Sequence, residues 1–188
     1  MLVGRNVILR PLRSSDIQTY FDLGADIRMA GPYWPISIPC EKGFRSRFEQ
    51  TGLWANDFSL LLITDHEERP LGYVGFFPGA PYQNTREIGY RLFDPRDQGR
   101  GIMTEAVTLT IGYLFASKRI ERVQAAVIVG NEASRRVLEK AGFQKEGVLR
   151  SVVYVYGRTA DMDLFSILRH EAATLEDILA PIDKPVHA

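Results

Sequence analysis

At 188 residues, 45% hydrophobic and 24% charged, the chain suits one domain with a sizeable core, which excludes a wholly disordered protein. Lys+Arg and Asp+Glu both count 23, so no overall basicity points to nucleic acid or an anionic membrane surface. Cys40 is the sole cysteine, which excludes an intrachain disulfide and a multi-cysteine metal site and suits a reducing compartment. His66, His170 and His187 are scattered without ligand spacing, so no metal is expected. The first residues lack the basic flank and apolar run of a signal peptide, and no segment has the roughly twenty apolar residues of a membrane helix. A cytoplasmic protein away from membranes is the expectation.

Val7, Leu9 and Leu12 suggest a first strand. Ser15 and Gln18 are spaced as a capping box, and Ile17, Tyr20 and Phe21 follow at helical intervals. Gly24, Gly31, Pro32, Pro35 and Pro39 make residues 24–40 a loop around Tyr33 and Trp34. A second helix is expected over 41–51, with Phe44 and Phe48 set apart from Arg45 and Arg47. Phe58–Thr64 and Leu71–Phe77 read as strands joined by a charged hairpin turn, Asp65 to Pro70. Another loop, with Pro78 and Pro81 in it, leads to Thr85.

The stretch from Glu87 to Glu105 carries the strongest local signal. Ile88, Tyr90 and Leu92 alternate with Gly89 and Arg91 as in a strand, and Asp94-Pro95 stops it. Ile102, Ala106, Leu109 and Tyr113 then fall at helical spacing, predicting a helix to about Ala116 with Lys118 and Arg119 at its negative end. Between strand and helix lies Arg96-Asp-Gln-Gly99-Arg-Gly101. Two glycines there permit a tight turn and clear Cβ atoms from the amides, just where a helix N-terminus offers unpaired N–H groups. Arg96 and Arg100 add cations. The combination suits a diphosphate; the plainer reading is a structural turn. A P-loop would need Gly-Lys-Ser/Thr, but Ile102 and Met103 follow Gly101. A dinucleotide fingerprint would need a third glycine where Thr104 stands.

Val123–Val129 reads as an apolar strand buried on both faces. Asn131 is a natural N-cap for a helix whose buried side is Val137, Leu138 and Ala141, and Gly142 ends it. Phe143–Leu149 and Thr159–Leu168 are expected as the last strands. From Glu171 a short helix is expected, and then a frayed tail around Pro181 and Pro185. The pattern argues for a mixed α/β domain of three layers.

Arg96-x-x-Gly99-x-Gly101 resembles the pyrophosphate loop of the GNAT superfamily of N-acetyltransferases, and Asn131 to Phe143 resembles the segment after that family's fifth strand. With Leu9-Arg-Pro-Leu12, Asp16, Glu87 to Tyr90 and Asp161 to Leu168, the likeness covers about residues 5–169. It is to the RimJ/RimL-type branch, ribosomal-protein-alanine acetyltransferase-like. The resemblance implies a splayed, mostly antiparallel mixed sheet flanked by helices, with residues 1–170 the acetyltransferase domain and 171–188 a C-terminal helix and tail. It implies acetyl-CoA as co-substrate and no metal. The pantetheine arm would lie between parted central strands, paired with the backbone at Leu92 and Phe93. Amides of Gln98, Gly99, Arg100, Gly101, Ile102 and Met103, with Arg96, would hold the diphosphate, and Asn131 would reach the pantetheine or acetyl end.

Acetyl transfer to an amine needs a base for the ammonium proton, a donor for the thioester oxygen and help for the departing thiolate. Glu87 is the candidate base, directly or through water, or else a solvated strand-end carboxylate. Ser134 is the candidate to stabilise the thiolate, or else a first-turn serine paired with Asn131. Many family members place a tyrosine before the glutamate of this helix; here Leu138 precedes Glu139. The oxyanion donor would be a backbone N–H near Leu92 or Phe93. Tyr33, Trp34, Phe76, Tyr154 and Asp161 are candidate substrate contacts, each with core packing or a structural turn as its alternative. Arg100, Arg135 and Lys140 are candidates for the adenosine 3′-phosphate, or a solvated face. The acceptor is expected to be a primary amine, either a protein N-terminal α-amine or a small molecule. A homodimer is a further expectation. The alternative function is a non-catalytic acyl-CoA-binding or sensing module.

Overall fold

Strands that are apolar on both faces need cover on both sides, and the chain folds so as to provide it. The computed structural model describes residues 1–27, 31–79, 84–179 and 181. Its first half runs β1 (Leu2–Val3), β2 (Ile8–Arg10), α1 (Ile17–Ala25), α2 (Glu41–Thr51), β3 (Ser59–Thr64), β4 (Pro70–Pro78) and β5 (Thr85–Leu92). The second half runs α3 (Ile102–Ser117), β6 (Arg122–Ile128), α4 (Glu132–Lys140), β7 (Gln144–Val155), β8 (Arg158–Leu168) and the single turn α5 (Leu175–Ile178). One eight-stranded sheet results, in the order β1-β2-β3-β4-β5-β6-β8-β7. Each pairing is antiparallel except β5 with β6.

Two apolar clusters make the layers. Val74, Phe76 and Ile88 on one face pack with Ala106, Leu109 and Leu114 of α3 and Leu138 of α4. On the other, Leu60, Leu62 and Phe93 pack with Ile17 of α1 and, less buried, Phe44 and Phe48 of α2. Helix α3 is buried almost throughout, which is why its apolar residues go nearly all round rather than forming a stripe. The tail turn α5 docks on it, with Ile178 and Leu175 against Gly112.

The parallel pair matters most for function. β5 and β6 align only at Thr85↔Arg122, Arg86↔Val123 and Glu87↔Gln124. Beyond that point β5 keeps its partner β4 through Leu92, and β6 keeps β8 through Ile128. The two central strands therefore part, and a wedge opens toward the start of α3.

Most predicted elements form, with differences that have local causes. β1 was not foreseen. The Ser15–Gln18 capping box does not form: Asp16 accepts from the Arg13 N–H at 2.7 Å and from Arg10 at 2.6 Å, and a 3-10 turn over Ser14–Asp16 precedes α1. Pro78 ends strand β4 instead of sitting in a loop. β6 is not wholly apolar, because Gln124 lies buried within it. β7 extends to Val155, past the expected end at Leu149, with an irregularity between Leu149 and Val153. The loop expected around Pro81 and the tail around Pro185 fall outside the described residues.

Gly72 on β4 is held close to β5: a Cβ there would lie 2.3 Å from the Arg91 carbonyl oxygen and 3.0 Å from Leu92 Cα. Gly72→Ala should force the strands apart and lower the unfolding free energy by about 2 kcal/mol. Urea denaturation checks this, and an unchanged midpoint would contradict the close approach.

Candidate active site

At the wide end of the wedge the backbone makes a nest. Asp94 accepts the Arg96 N–H at 2.8 Å and caps a 3-10 turn over Pro95–Asp97. Gly99 and Gly101 follow at φ +75° and +80°, the left-handed region that glycine enters without strain. Gly101 is the N-cap of α3, so the first amides of that helix have no acceptor four residues back. A Cβ at either glycine would meet nothing within 4 Å, so the space beside these two α-carbons is open. That is a fit for a diphosphate.

The loop's arginines are already occupied. Arg96 pairs with Asp94 at 2.6 Å, and this contact holds the Asp94 carboxyl well down, to about 2. Arg100 pairs with Asp97 at 2.8 Å. Asp97 is only 4% exposed and also accepts from Arg69, on the turn leading into β4, at 3.1 and 3.2 Å. Arg135 is likewise engaged by Glu132 and Glu139. These side chains brace the loop and helix α4, and what faces the opening is mainly backbone. Gln98 is a correction too, since its N–H goes to the Pro95 carbonyl at 3.1 Å. The open amides begin at Gly99.

Along the wedge, β5 presents edge backbone. Phe93 donates its N–H to the Leu71 carbonyl at 2.9 Å, and its side chain is buried against α1 and α2. The Phe93 N–H is therefore already engaged within the sheet. Hydrogen-bonding direction alternates along an antiparallel ladder, so the amides of Tyr90 and Leu92 turn away from β4, toward the gap left by β6.

Side chains alternate as well. Glu87, Gly89 and Arg91 face α1 and α2, while Ile88, Tyr90 and Leu92 face α3 and α4. Glu87 accepts from Gln124 Nε2 at 2.9 Å, across the last aligned pair before the strands part. On the opposite face the Tyr90 hydroxyl spans the gap to α4, 2.9 Å from Ser134 Oγ and 3.1 Å from the Ser134 carbonyl. Burial pushes the Tyr90 phenol upward, against the pull of its Ser134 hydrogen bond, so it stays a neutral donor. Asn131 caps α4 by accepting the Ser134 N–H at 3.2 Å. Tyr90 was missed by sequence reasoning, although the strand period that put Ile88 inward put it on the same face.

The face of Glu87 carries an aromatic cleft of about 210 Å³ under α1 and α2, lined by Tyr20, Trp34, Phe44, Tyr73 and Arg91 among others. A second hollow shares several of these residues and reaches Gly75 and Gly89 on the sheet. Of the candidate substrate contacts, Trp34 lines both. Tyr33 donates to the Gly130 carbonyl at 2.8 Å, tying the loop after α1 to the turn before α4. Three do not gather there. Phe76 is in the core against α3, at 2% exposure. Asp161 accepts the Ser151 N–H at 2.8 Å and serves the β7 irregularity. Tyr154 is 66% exposed on the last hairpin, whereas Tyr156 at its tip donates to the Gly31 carbonyl at 3.2 Å. Among the described residues no group of His, Cys, Asp and Glu could hold a metal, and no helix is long and apolar enough to cross a membrane.

Comparison with known proteins agrees with this geometry. Residues 6–144 match the family described as Acetyltransferase (GNAT) domain. The probable N-acetyltransferase YjcK of Bacillus subtilis is 32% identical over 182 residues, covering 89% of this chain and 97% of that protein. The ribosomal-protein-serine acetyltransferase of Escherichia coli is 26% identical over 134 residues, 71% of this chain and 74% of its own. The crystal structure of the ribosomal-protein-S5-alanine acetyltransferase of Vibrio fischeri superposes with a TM-score of 0.74 at 27% identity, covering 89% of this chain and 95% of that one.

A side chain at Gly101 would meet no protein atom but would carry backbone strain at φ +80°, so Gly101→Asp should fold with a lowered melting temperature and lose coenzyme A binding. Bulk and negative charge would then stand where the diphosphate belongs. Calorimetric titration checks it, and an unchanged affinity would refute the nest.

Proposed function

The chain belongs to the GNAT acetyltransferase family, in its RimJ/RimL-type branch, and is an enzyme that moves acetyl from acetyl-CoA to an amine; we propose that a primary amine attacks directly within a ternary complex. The observation that carries this reading is the parting of β5 from β6 beside the nest at Gly99 and Gly101.

In this proposal the amides from Gly99 to Met103 hold the diphosphate, and those of Tyr90 and Leu92 hold the pantetheine arm as another strand would. One of these two N–H groups also donates to the thioester oxygen as it gains charge. Glu87 takes the proton of the incoming ammonium through water, held in place by Gln124. The carbon–sulfur bond then breaks, the thiolate receives a hydrogen bond or proton from the Tyr90–Ser134 hydroxyl pair, and the attacking nitrogen gives up its second proton, which makes good any proton the pair supplies. Base and hydroxyls act from opposite faces of the sheet, which suits an amine entering on one side and a sulfur leaving on the other. The pair also supplies a hydroxyl despite Leu138, which favours turnover over a purely sensing module. Cys40 is exposed beside the start of α2, so an acyl-cysteine route has no support.

The acceptor proposed is an N-terminal α-amine of a protein or peptide, supported by the likeness to the ribosomal-protein-serine acetyltransferase, with small-molecule amines as the other class. Residues 1–170 are proposed as the catalytic domain, with 171–188 as a C-terminal helix and tail. The cytoplasm is the proposed location, supported by the single free thiol. A homodimer is proposed on the exposed Val148, Leu149 and Val152 of edge strand β7.

Thiol release from acetyl-CoA across a panel of amines tests the reading. Release with at least one primary amine is expected, and coenzyme A binding without release on any amine would overturn it. Glu87→Gln should lower kcat by roughly a hundredfold with little change in coenzyme A affinity, and unchanged turnover across pH would remove Glu87 as base. Tyr90→Phe should lower kcat more for acetyl-CoA than for an activated thioester whose thiol leaves easily. An equal loss for both would remove Tyr90 from the leaving-group step.

A further inference from the structure

β5 brings one more charged side chain to the acceptor-side cleft than the chemistry above uses. Arg91 stands opposite Tyr73 of β4 on the α1/α2 face, with its guanidinium 5.8 Å from the centre of the Trp34 ring. Its Nε and Nη2 are both buried and have no hydrogen-bond partner among the described residues. Among the described residues no carboxylate forms an ion pair with it.

Buried N–H donors left without acceptors are costly. The stacked tryptophan compensates part of the guanidinium charge but accepts neither N–H. Nor do the neighbouring hydroxyls become anions: burial pushes Tyr73 up to about 12 and raises Tyr20 as well. Arg96, Arg100 and Arg135 are paired, whereas the one that lines the cleft is not.

The two unused atoms also have a shape. Nε–H and the adjacent Nη2–H form the parallel side-on fork that matches the two oxygens of a carboxylate. Glu87 lies on the same face, about 13 Å away along the strand at strand rise. Between them Gly89 leaves the floor bare, since a Cβ there would meet nothing within 4 Å.

We propose that Arg91 selects acceptors that carry a carboxylate, which reaches the buried fork as the stacked Trp34 ring shifts aside and is held bidentately in the aromatic cleft while the primary amine lies over Gly89. The carboxylate is either the α-carboxylate of a free amino acid or an acidic side chain just inside a peptide N-terminus. This rests on the acetyl-transfer reading given above, whose acceptor it narrows.

The test compares kcat/KM for two matched pairs: a free amino acid with its carboxamide, and peptides with Glu or Gln at the second position. Acid should be preferred over amide by about tenfold or more in one pair. The pair that shows the preference identifies the source of the carboxylate. In Arg91→Met the preference should collapse to near unity, and Arg91→Lys, with charge but no fork, should restore only part of it. Equal rates for acid and amide in the natural protein would overturn the proposal, as would a preference that survives in Arg91→Met. The comparison in the natural protein stands even if both variants fail to fold. If no amine releases thiol, the transfer reading fails separately. Calorimetric titration of the same acids and amides into the coenzyme A complex then decides the assignment: binding selective for acid supports it, and equal or absent binding of both overturns it.

Discussion

The separation of β5 from β6 after the pair Glu87↔Gln124 is the constraint from which the rest of this site follows. A parallel pair has slanted hydrogen bonds and needs a crossover helix, and here that helix is α3. Had the two strands stayed paired to their ends, the amides of Tyr90 and Leu92 would be spent on β6. Because they part, a stretch of central strand keeps edge chemistry inside a sheet. Unpaired edge backbone in a buried setting is costly unless something bonds it. The fold thus holds open a slot shaped for an extended, amide-bearing ligand.

How the diphosphate end is built shows which of two electrostatic solutions the chain uses. Loop cations could neutralise an anion directly, but Arg96 and Arg100 are matched with Asp94 and Asp97. Asp97, nearly inaccessible and bound also by Arg69, fastens the loop to the β3–β4 turn. What is left for the ligand is the row of amides leading into α3, with the partial positive charge of a helix start behind it. Such a site depends on backbone shape, which explains why two glycines at positive φ stand where side chains would block it.

How much of this was legible in the letters depends on how local the cause was. The strand, glycine turn and helix from Glu87 to Glu105 were readable because period and glycine spacing are local properties. Asn131 as N-cap and Gly142 as helix stop were readable for the same reason. The reach of Tyr90 to Ser134 was not, since it depends on how α4 sits over the parted strands. Neither was the fate of Phe93, whose amide is assigned by the ladder with β4. The same holds for Phe76: a phenylalanine in an apolar strand has no letter that says which face it takes until the register with β5 is known. The Ser15–Gln18 spacing misled for a related reason, which lies in Asp16. Its carboxylate was claimed by Arg10 and the Arg13 amide, and the serine–glutamine spacing beside it was left without a role.

The position before Glu139 illustrates how packing can move a chemical role. Leu138 is at 0% exposure, the point at which α4 is fastened into the main apolar cluster. A tyrosine there would have to leave that cluster or overpack it, either of which strains the helix that carries Asn131 and Ser134. The hydroxyl that faces the gap comes instead from the opposite side, where Tyr90 is already on the α4 face of β5 and is kept protonated by its surroundings. Because Tyr90 also contributes one of the amides turned toward the gap, side chain and backbone of one residue would address the same thioester. Its placement is then set by the strand ladder itself, a stiffer support than a helix turn, and the departing sulfur would meet a donor whose position the sheet already determines.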